Sequence, residues 1–436
     1  MPYILTYVAI ILSTVIATLR KPPVALALVF CMFGMEQWAQ SVHPFFTQYH
    51  TLTNILVGAV LVFALCVDMF KRGGTLHSYP TVGWFAIALY VYALVSTLWA
   101  PTQANSLDVW SKTWPYIITV VGLTPLLIKR PEDLHAALNA VLPLGAALVV
   151  LLLYTSRWED HHIVLQANQG FAYGNPLAVG TMGGYVAIIA ILQNFKGRSY
   201  VWQLLRWVVV AVSLVMVIQT SSRGPFIFMV LVTILFIPLS RSIRNMRMFL
   251  AVVITILMVL FIVDHVYDAY RDLEDVRWGY EKIEADIMGR VNSAIILLDK
   301  WFSSPATILF GLGNSASYDP RIVGIYVHIV PLEILAEEGL IGAVLYLSIL
   351  FSTLCSFRRS FRMVRYDPMA KGALATIGAL FTYELLLTLK QGSLLGMPYM
   401  YAFAIIIGKL ERQLAAAQVD SYGQNRMLKN DQQQCN

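Results

Sequence analysis

His328 is a lone histidine between a glycine turn and a long apolar run, in the stretch Gly311 to Leu345. The turn is Gly311-Leu312-Gly313-Asn314. Pro331 suits the first turn of the helix that the apolar run predicts, where a missing N–H costs least. His328 then sits just before or at the helix N-terminus. The positive end of the helix dipole disfavours a protonated imidazole there, and a neutral imidazole can act as a base. A polar cap is the other role open to it. Arg223 lies in Thr220-Ser221-Ser222-Arg223-Gly224-Pro225. Hydroxyls and a Gly-Pro turn at a helix start supply donors beside a guanidinium, which is the chemistry of an anion ligand. A loop arginine extended to lipid headgroups fits the same position. Arg290 fits an anion ligand, or a surface ion pair with Glu284 or Asp286. Glu333 and Glu337 are four apart and share a helix face. They either pair with arginines or, with Glu338-Gly339, mark a helix break. The acidic residues show no DxD and no Mg²⁺-like spacing. There is no phosphate-binding P-loop. Acid–base chemistry beside arginines is what these residues offer, with no metal and no cofactor.

The elements that must position them are membrane helices. The chain is 58% hydrophobic and 13% charged, and a bilayer-spanning helix needs roughly 20 mostly apolar residues. Apolar runs at 3–19, 22–36, 52–70, 81–99, 115–128, 134–154, 176–193, 203–219, 225–240, 248–264, 329–352, 372–389 and 397–409 predict an all-α polytopic protein of about 12–13 spans. Residues 1–412 form the membrane domain. The one long connection, 264–328, holds ten acidic and six basic residues. In it Ile287, Val291, Ile295, Leu298 and Phe302 recur at helical spacing and predict a helix packed by that face. Residues 413–436 are polar and predict a disordered tail. Lys and Arg alternate between short loops: Arg20-Lys21, Lys71-Arg72, Lys129-Arg130, Lys196 with Arg198, Arg241 to Arg247, Arg358 to Lys371, then Lys409 and Arg412. The positive-inside rule puts these and the C-terminus in the cytoplasm. It puts 264–328, Arg223 and Lys390 outside. The net charge of +6 is dealt out between apolar runs and forms no nucleic-acid patch. The four cysteines are far apart and suggest neither a disulfide framework nor a CxxC site. The start lacks a basic n-region and reads as a retained helix.

Taken together, the motifs between 170 and 345 resemble the O-antigen ligase and O-antigen polymerase superfamily of bacterial envelope glycosyltransferases, which are GT-C-like. Gly174-Asn175-Pro176 looks like a shortened form of that family's G-x-NPN element, and Ser222-Arg223-Gly224 like its SRG element. Arg290, Trp301 and Gly311-x-Gly313 look like its loop segment ending in GxG. His328, Gly339 and Gly342 keep the spacing of the ligase signature, although Ile329 stands where a small polar residue is expected. The resemblance implies a metal-independent inverting transfer on the periplasmic side of the inner membrane. The donor is a glycan on undecaprenyl diphosphate. The acceptor hydroxyl belongs to lipid A–core in a ligase, to a lipid-linked glycan in a polymerase, or to a protein in an oligosaccharyltransferase. It further implies His328 as base, with Arg223, Arg290 and Ser222 on the diphosphate. Glu333, Glu337, Gly311, Gly313 and Asn175 act in support. The His–Gly–Gly spacing favours a ligase. Polymerases of this type carry Arg, ten residues, then Gly in outer loops, and neither Arg290 nor Arg271 does. A transporter of lipid-linked sugars is the rival class. It calls for charge inside several spans, whereas here charge gathers at helix ends and in the outer loop.

Overall fold

The computed structural model describes residues 2–72, 79–159, 161–167, 170–193, 199–240 and 280–434. The predicted span at 248–264 and Arg271 lie outside them. Among the described residues, nine helices are long and apolar enough to cross a membrane, as a polytopic membrane protein requires. In chain order the helices are α1 Pro2–Arg20, α2 Leu26–Val42, α3 Pro44–Gln48, α4 Leu52–Arg72, α5 Thr81–Ser96, α6 Gln103–Tyr116, α7 Pro131–Thr155, α8 Pro176–Leu192, α9 Tyr200–Gln219 and α10 Arg223–Ser240. From residue 280 onward come α11 Tyr280–Trp301, α12 Pro305–Phe310, α13 Val330–Glu337, α14 Gly339–Met363, α15 Pro368–Thr388 and α16 Pro398–Gln434.

Helix α14 shows why these sequences suit a bilayer. Leu340, Val344, Leu347, Phe351 and Leu354 form an exposed apolar stripe. Gly342, Tyr346, Ile349, Thr353, Ser356 and Ser360 face inward. Small and polar residues inside, large apolar residues outside, is the pattern of a helix solvated by lipid. Two hydrophobic clusters fill the interior. The larger centres on α2, α7, α8 and α15, and the smaller on α5, α14 and the start of α16.

Several expectations are corrected. The apolar run 115–128 is not a regular α-helix, although with α6 it leads from Thr102, beside Asp319, to Lys129, beside Asp68. Pro115 lies in the last turn of α6, Ile117–Leu123 winds with wide π geometry, and Thr124–Leu127 closes as a tight 3₁₀ turn around Pro125. Each proline removes a ladder donor, so a straight helix cannot pass. The run 329–352 is two helices, α13 and α14, broken at Gly339 with φ +65°. The helical fold carries one small addition: β1 Trp158–Glu159, β2 His162–Ala167 and β3 Gly170–Tyr173 form an antiparallel sheet in the order β1-β2-β3. Its register pairs Glu159 with His162 and Leu165 with Ala172, and Ile163 and Leu165 turn into the core. Residues 413–434 are described as a continuation of helix α16. They contain no proline, and Leu414 to Gln418 are mostly strong helix formers.

The predicted loop helix exists as α11, but it packs by a different face. Val291, Ile295 and Phe302 are exposed. Leu297 and Trp301 are buried, with Ala294 and Leu298 beside them, against Val327, Leu332, Leu335 and Ala336. The sequence carries two apolar stripes, and the one containing the small Ala294 and the flat Trp301 gives the closer fit to α13.

The basic side chains meet at one end of the bundle. Lys129 Nζ pairs with Asp68 at 2.6 Å, and Lys409 Nζ donates to Pro125 O at 2.8 Å. Arg412 Nη1 donates to Tyr79 O at 2.8 Å, Arg359 pairs with Glu411, and Lys71 donates to Leu19 O. Helices α14 and α16 carry this end away from His328. With this basic end inward, a cysteine-free protein carrying Ser303→Cys should be labelled by an impermeant thiol reagent applied from the periplasmic side. Tyr366→Cys should be labelled only after the membrane is opened. The reverse pattern would invert the orientation.

Candidate active site

The loop between α12 and α13 is docked onto the α13–α14 break through its backbone. Leu312 N donates to Ala336 O at 2.9 Å and Gly313 N to Glu337 O at 2.8 Å. Gly311 and Gly339 touch backbone to backbone: a Cβ on Gly311 would overlap Glu337 O, and one on Gly339 would overlap Leu309 O. Both have positive φ, so glycine is required on two counts.

Two carboxylates then hold the loop beyond Gly313. Glu337 Oε2 accepts from Ser315 N at 2.7 Å, and its Oε1 from Ser317 N at 2.8 Å. Glu338 Oε1 accepts from Asn314 Nδ2 at 3.0 Å. One turn earlier, Glu333 Oε1 accepts from Leu394 N at 3.0 Å and ties the α15–α16 loop to α13. Among the described residues none of these three pairs with an arginine. Burial pushes the Glu338 carboxyl up to about 8. Burial, with Glu337 beside it, drives Glu333 well above the carboxylate range. Burial raises Glu337 to about 7, against the pull of its two amide donors. Glu333 and Glu337 are therefore latches for two loops.

The latched loop carries an aromatic stack to His328. Tyr318 and Tyr326 stack with centroids 6.0 Å apart, and Tyr326 meets the His328 ring at 4.1 Å. His328 is half-buried, two residues before α13, with φ +65°. Farther along the same loop, Asp319 takes Arg321 Nη2 and Thr102 Oγ1, both at 2.6 Å. The Arg321 guanidinium and the Thr102 hydroxyl hold the Asp319 carboxyl well below its usual range. Arg290 is half-buried on α11, and its positive charge bears on the Tyr326 hydroxyl, opposing the rise caused by burial. The side chains of Glu284 and Asp286, its suggested partners, are outside those described.

Arg223 opens α10. The turn before it is tight: Ser221 has φ +45°, and Ser221 N donates to Ile218 O at 2.8 Å. Ser222 is buried, and its hydroxyl donates to Thr220 O at 3.2 Å, so it shapes the turn. Lys390 lies across Gly224: a Cβ there would stand 2.8 Å from Lys390 Cδ and 3.1 Å from Nζ. The glycine thus admits the lysine side chain over the first turn of α10. Asn175 caps α8 by accepting from Leu177 N at 3.0 Å, and Asn175 N donates to Gln37 Oε1 at 2.7 Å.

Beside these parts lies a cleft of about 200 Å³, which Asn175 and Tyr326 help to line. Gln391, Tyr185 and Glu384 also line it. His328 packs on the lining residue Tyr326, and Lys390, which lies over Gly224, directly precedes the lining residue Gln391. The expected residues His328, Arg290, Arg223 and Asn175 therefore belong to one end of the bundle. Gly311, Gly313, Glu333 and Glu337 lie behind it as supports. Sequence reasoning missed Tyr326, Gln391 and Glu384, and it treated Lys390 only as a topology marker. A lysine in an otherwise charge-poor outer loop was the available signal. Among the described residues no three His, Cys, Asp or Glu side chains converge as metal ligands. Compared with known proteins, the chain matches no protein-family model and no curated sequence.

Proposed function

We propose that the protein is a metal-independent inverting glycosyltransferase of the O-antigen ligase type. It moves a glycan from undecaprenyl diphosphate to an acceptor hydroxyl at the periplasmic face of the bacterial inner membrane, its C-terminus in the cytoplasm. The observation that carries this reading is His328 packed on Tyr326, a residue that lines the cleft and feels the Arg290 charge, with Lys390 lying over the backbone of Gly224 next to Arg223, at the end opposite the basic loops. His328 takes the proton of the acceptor hydroxyl as its oxygen bonds to the anomeric carbon. The bond to the diphosphate breaks, and its electron pair leaves with the phosphate oxygen. Fixed cations oppose that developing charge without reorganising, and a guanidinium does so through two parallel donors. The aromatic stack and the Glu337 latch set the imidazole in place. Lipid A–core is the acceptor in this reading. A polymerase or a protein oligosaccharyltransferase would use the same chemistry on another hydroxyl, so offering each acceptor in turn separates them.

The test is transfer by the purified protein in nanodiscs with excess EDTA. The wild type should remain active. Arg223→Ala should weaken donor binding and turnover together. Arg223→Lys should restore only part of each, because an ammonium keeps the charge but not the fork. Activity lost in chelator and restored by Mg²⁺ or Mn²⁺ would overturn the proposal, as would unchanged donor affinity in Arg223→Ala.

A further inference from the structure

The cleft has lining residues that the transfer chemistry above does not use. Glu384 is 2% exposed and lines it. It lies four residues before the end of α15, so roughly 6 Å below the outer end of that helix at 1.5 Å per residue. Tyr185 donates its hydroxyl to Glu384 Oε1. Gln391 is 7% exposed and also lines the cleft. Its Oε1 has no hydrogen-bond partner among the described residues. A buried acceptor left without a donor is costly, and such atoms in folded proteins are normally satisfied. Phe33, Met182 and Met397 form an apolar wall, and Tyr326 and Tyr399 present rings beside it.

These features select among the parts of a lipid-linked glycan. Gln391 Oε1 and the carboxyl of Glu384 offer acceptors, and the carboxyl keeps an acceptor oxygen in either protonation state. They call for a ligand that donates. An ionised diphosphate is acceptor-only and would be placed against a carboxyl. A prenyl chain carries no donor and would leave Gln391 Oε1 unsatisfied. A sugar ring supplies hydroxyl or N-acetyl N–H donors on its edge and an apolar C–H face for a tyrosine ring. The volume, about 200 Å³, is more than ten times the ~10–15 Å³ that on the same measure admits one water. That is room for a sugar ring.

We infer that the cleft between α2, α8 and the α15–α16 loop is a subsite for one sugar ring, with Gln391 Oε1 and Glu384 receiving its hydroxyl or amide protons. The inference rests on the glycosyltransferase reading and adds which part of the substrate enters the protein, and against which residues. The diphosphate then remains outside it, with Arg223 and Lys390.

The experiment uses the full chain in nanodiscs. Free glucose, galactose, N-acetylglucosamine, N-acetylgalactosamine and rhamnose serve as sugar probes, read by saturation-transfer NMR. Farnesyl diphosphate serves as the probe for the remainder of the donor. At least one sugar should show transfer in the wild type. Gln391→Leu should weaken that sugar about tenfold, the size of one lost hydrogen bond, and leave farnesyl diphosphate affinity unchanged. Its melting temperature should not fall, because the substitution removes an acceptor the fold leaves unsatisfied. A lower melting temperature would mean that Gln391 is structural and would overturn the assignment. So would the absence of saturation transfer from all five sugars, or equal sugar binding in Gln391→Leu. Displacement of the sugar by farnesyl diphosphate, with Gln391→Leu weakening the latter, would give the cleft to the prenyl chain instead. Failure of the enzymatic reading is distinguishable: farnesyl diphosphate would then bind independently of Arg223 while sugar binding persisted.

Discussion

Replacing His328 with alanine is expected to lower single-turnover transfer about 10²–10⁴-fold, the usual contribution of a general base, with donor affinity nearly unchanged. The imidazole has to be separated from its backbone, however. His328 holds φ +65°, a left-handed conformation that costs an L residue roughly 1–2 kcal/mol. Alanine meets the same cost and loses the ring contact with Tyr326 at 4.1 Å, so a fall in activity could reflect a loosened loop. Asparagine tolerates the left-handed region best among non-glycine residues. His328→Asn should therefore keep the loop conformation while removing the base. Tyr326→Phe keeps the stack while removing a hydroxyl and should stay active. The discriminating result is a folded His328→Asn protein with wild-type donor affinity and lost turnover. Near-normal turnover in that variant would reduce His328 to a polar cap. Loss of donor affinity equal to that of Arg223→Ala would place it on the diphosphate.

The spans were readable because lipid imposes a length and a composition that few other constraints imitate. Charge at the loops was equally readable, since Lys71, Lys129, Lys409 and Arg412 do meet at one end. Reading failed where a local backbone choice overrode hydropathy. The run at 115–128 is as apolar as its neighbours, but around Pro115 and Pro125 it winds with π and 3₁₀ geometry instead of α. The hairpin from Trp158 to Tyr173 is short and sits among spans. Its signal was Ile163 and Val164 followed by Asn168-Gln169-Gly170, a β-branched pair before a turn sequence. The choice between two stripes on α11 depended on the shape of its partner, which spacing does not contain. At the site, the residue types were legible and their relations were not. Nothing in Gly224 alone says that Lys390 lies over it. Nothing in Gln391 says that its acceptor is buried without a donor. Both facts arise from α10 and α15 packing together at their outer ends, across well over a hundred residues of chain.

Removal of the Glu337 carboxylate is expected to be the most damaging change to the fold near the site. Its two oxygens satisfy Ser315 N and Ser317 N, in a segment where Asn314, Ser315, Ala316 and Ser317 are all buried. Water cannot readily replace it. Each buried N–H left unsatisfied costs about 1–3 kcal/mol, so Glu337→Ala should lose about 2–6 kcal/mol, a large share of a typical domain's stability. Glu337→Gln keeps one acceptor and turns an amide NH₂ towards the other donor, so it should fall between. Because Tyr318 comes directly after and stacks towards His328, turnover should fall with the loop in both variants while farnesyl diphosphate still binds. That separation marks a positioning residue. The carboxyls also fix a pH dependence. Glu337 is raised to about 7 and Glu338 to about 8 in the folded chain by burial, and both return to ordinary carboxylate values, about 4.3, on unfolding. Between those limits the folded state binds more protons than the unfolded one, so stability falls as pH rises from about 4.5 to 8. The wild-type melting temperature should therefore be higher at pH 6 than at pH 8, and Glu337→Gln should flatten that slope. Amide exchange at Ser315 and Ser317 provides the direct check. If both amides stay protected in Glu337→Ala, with an unchanged melting temperature, the carboxylate is not what holds the loop.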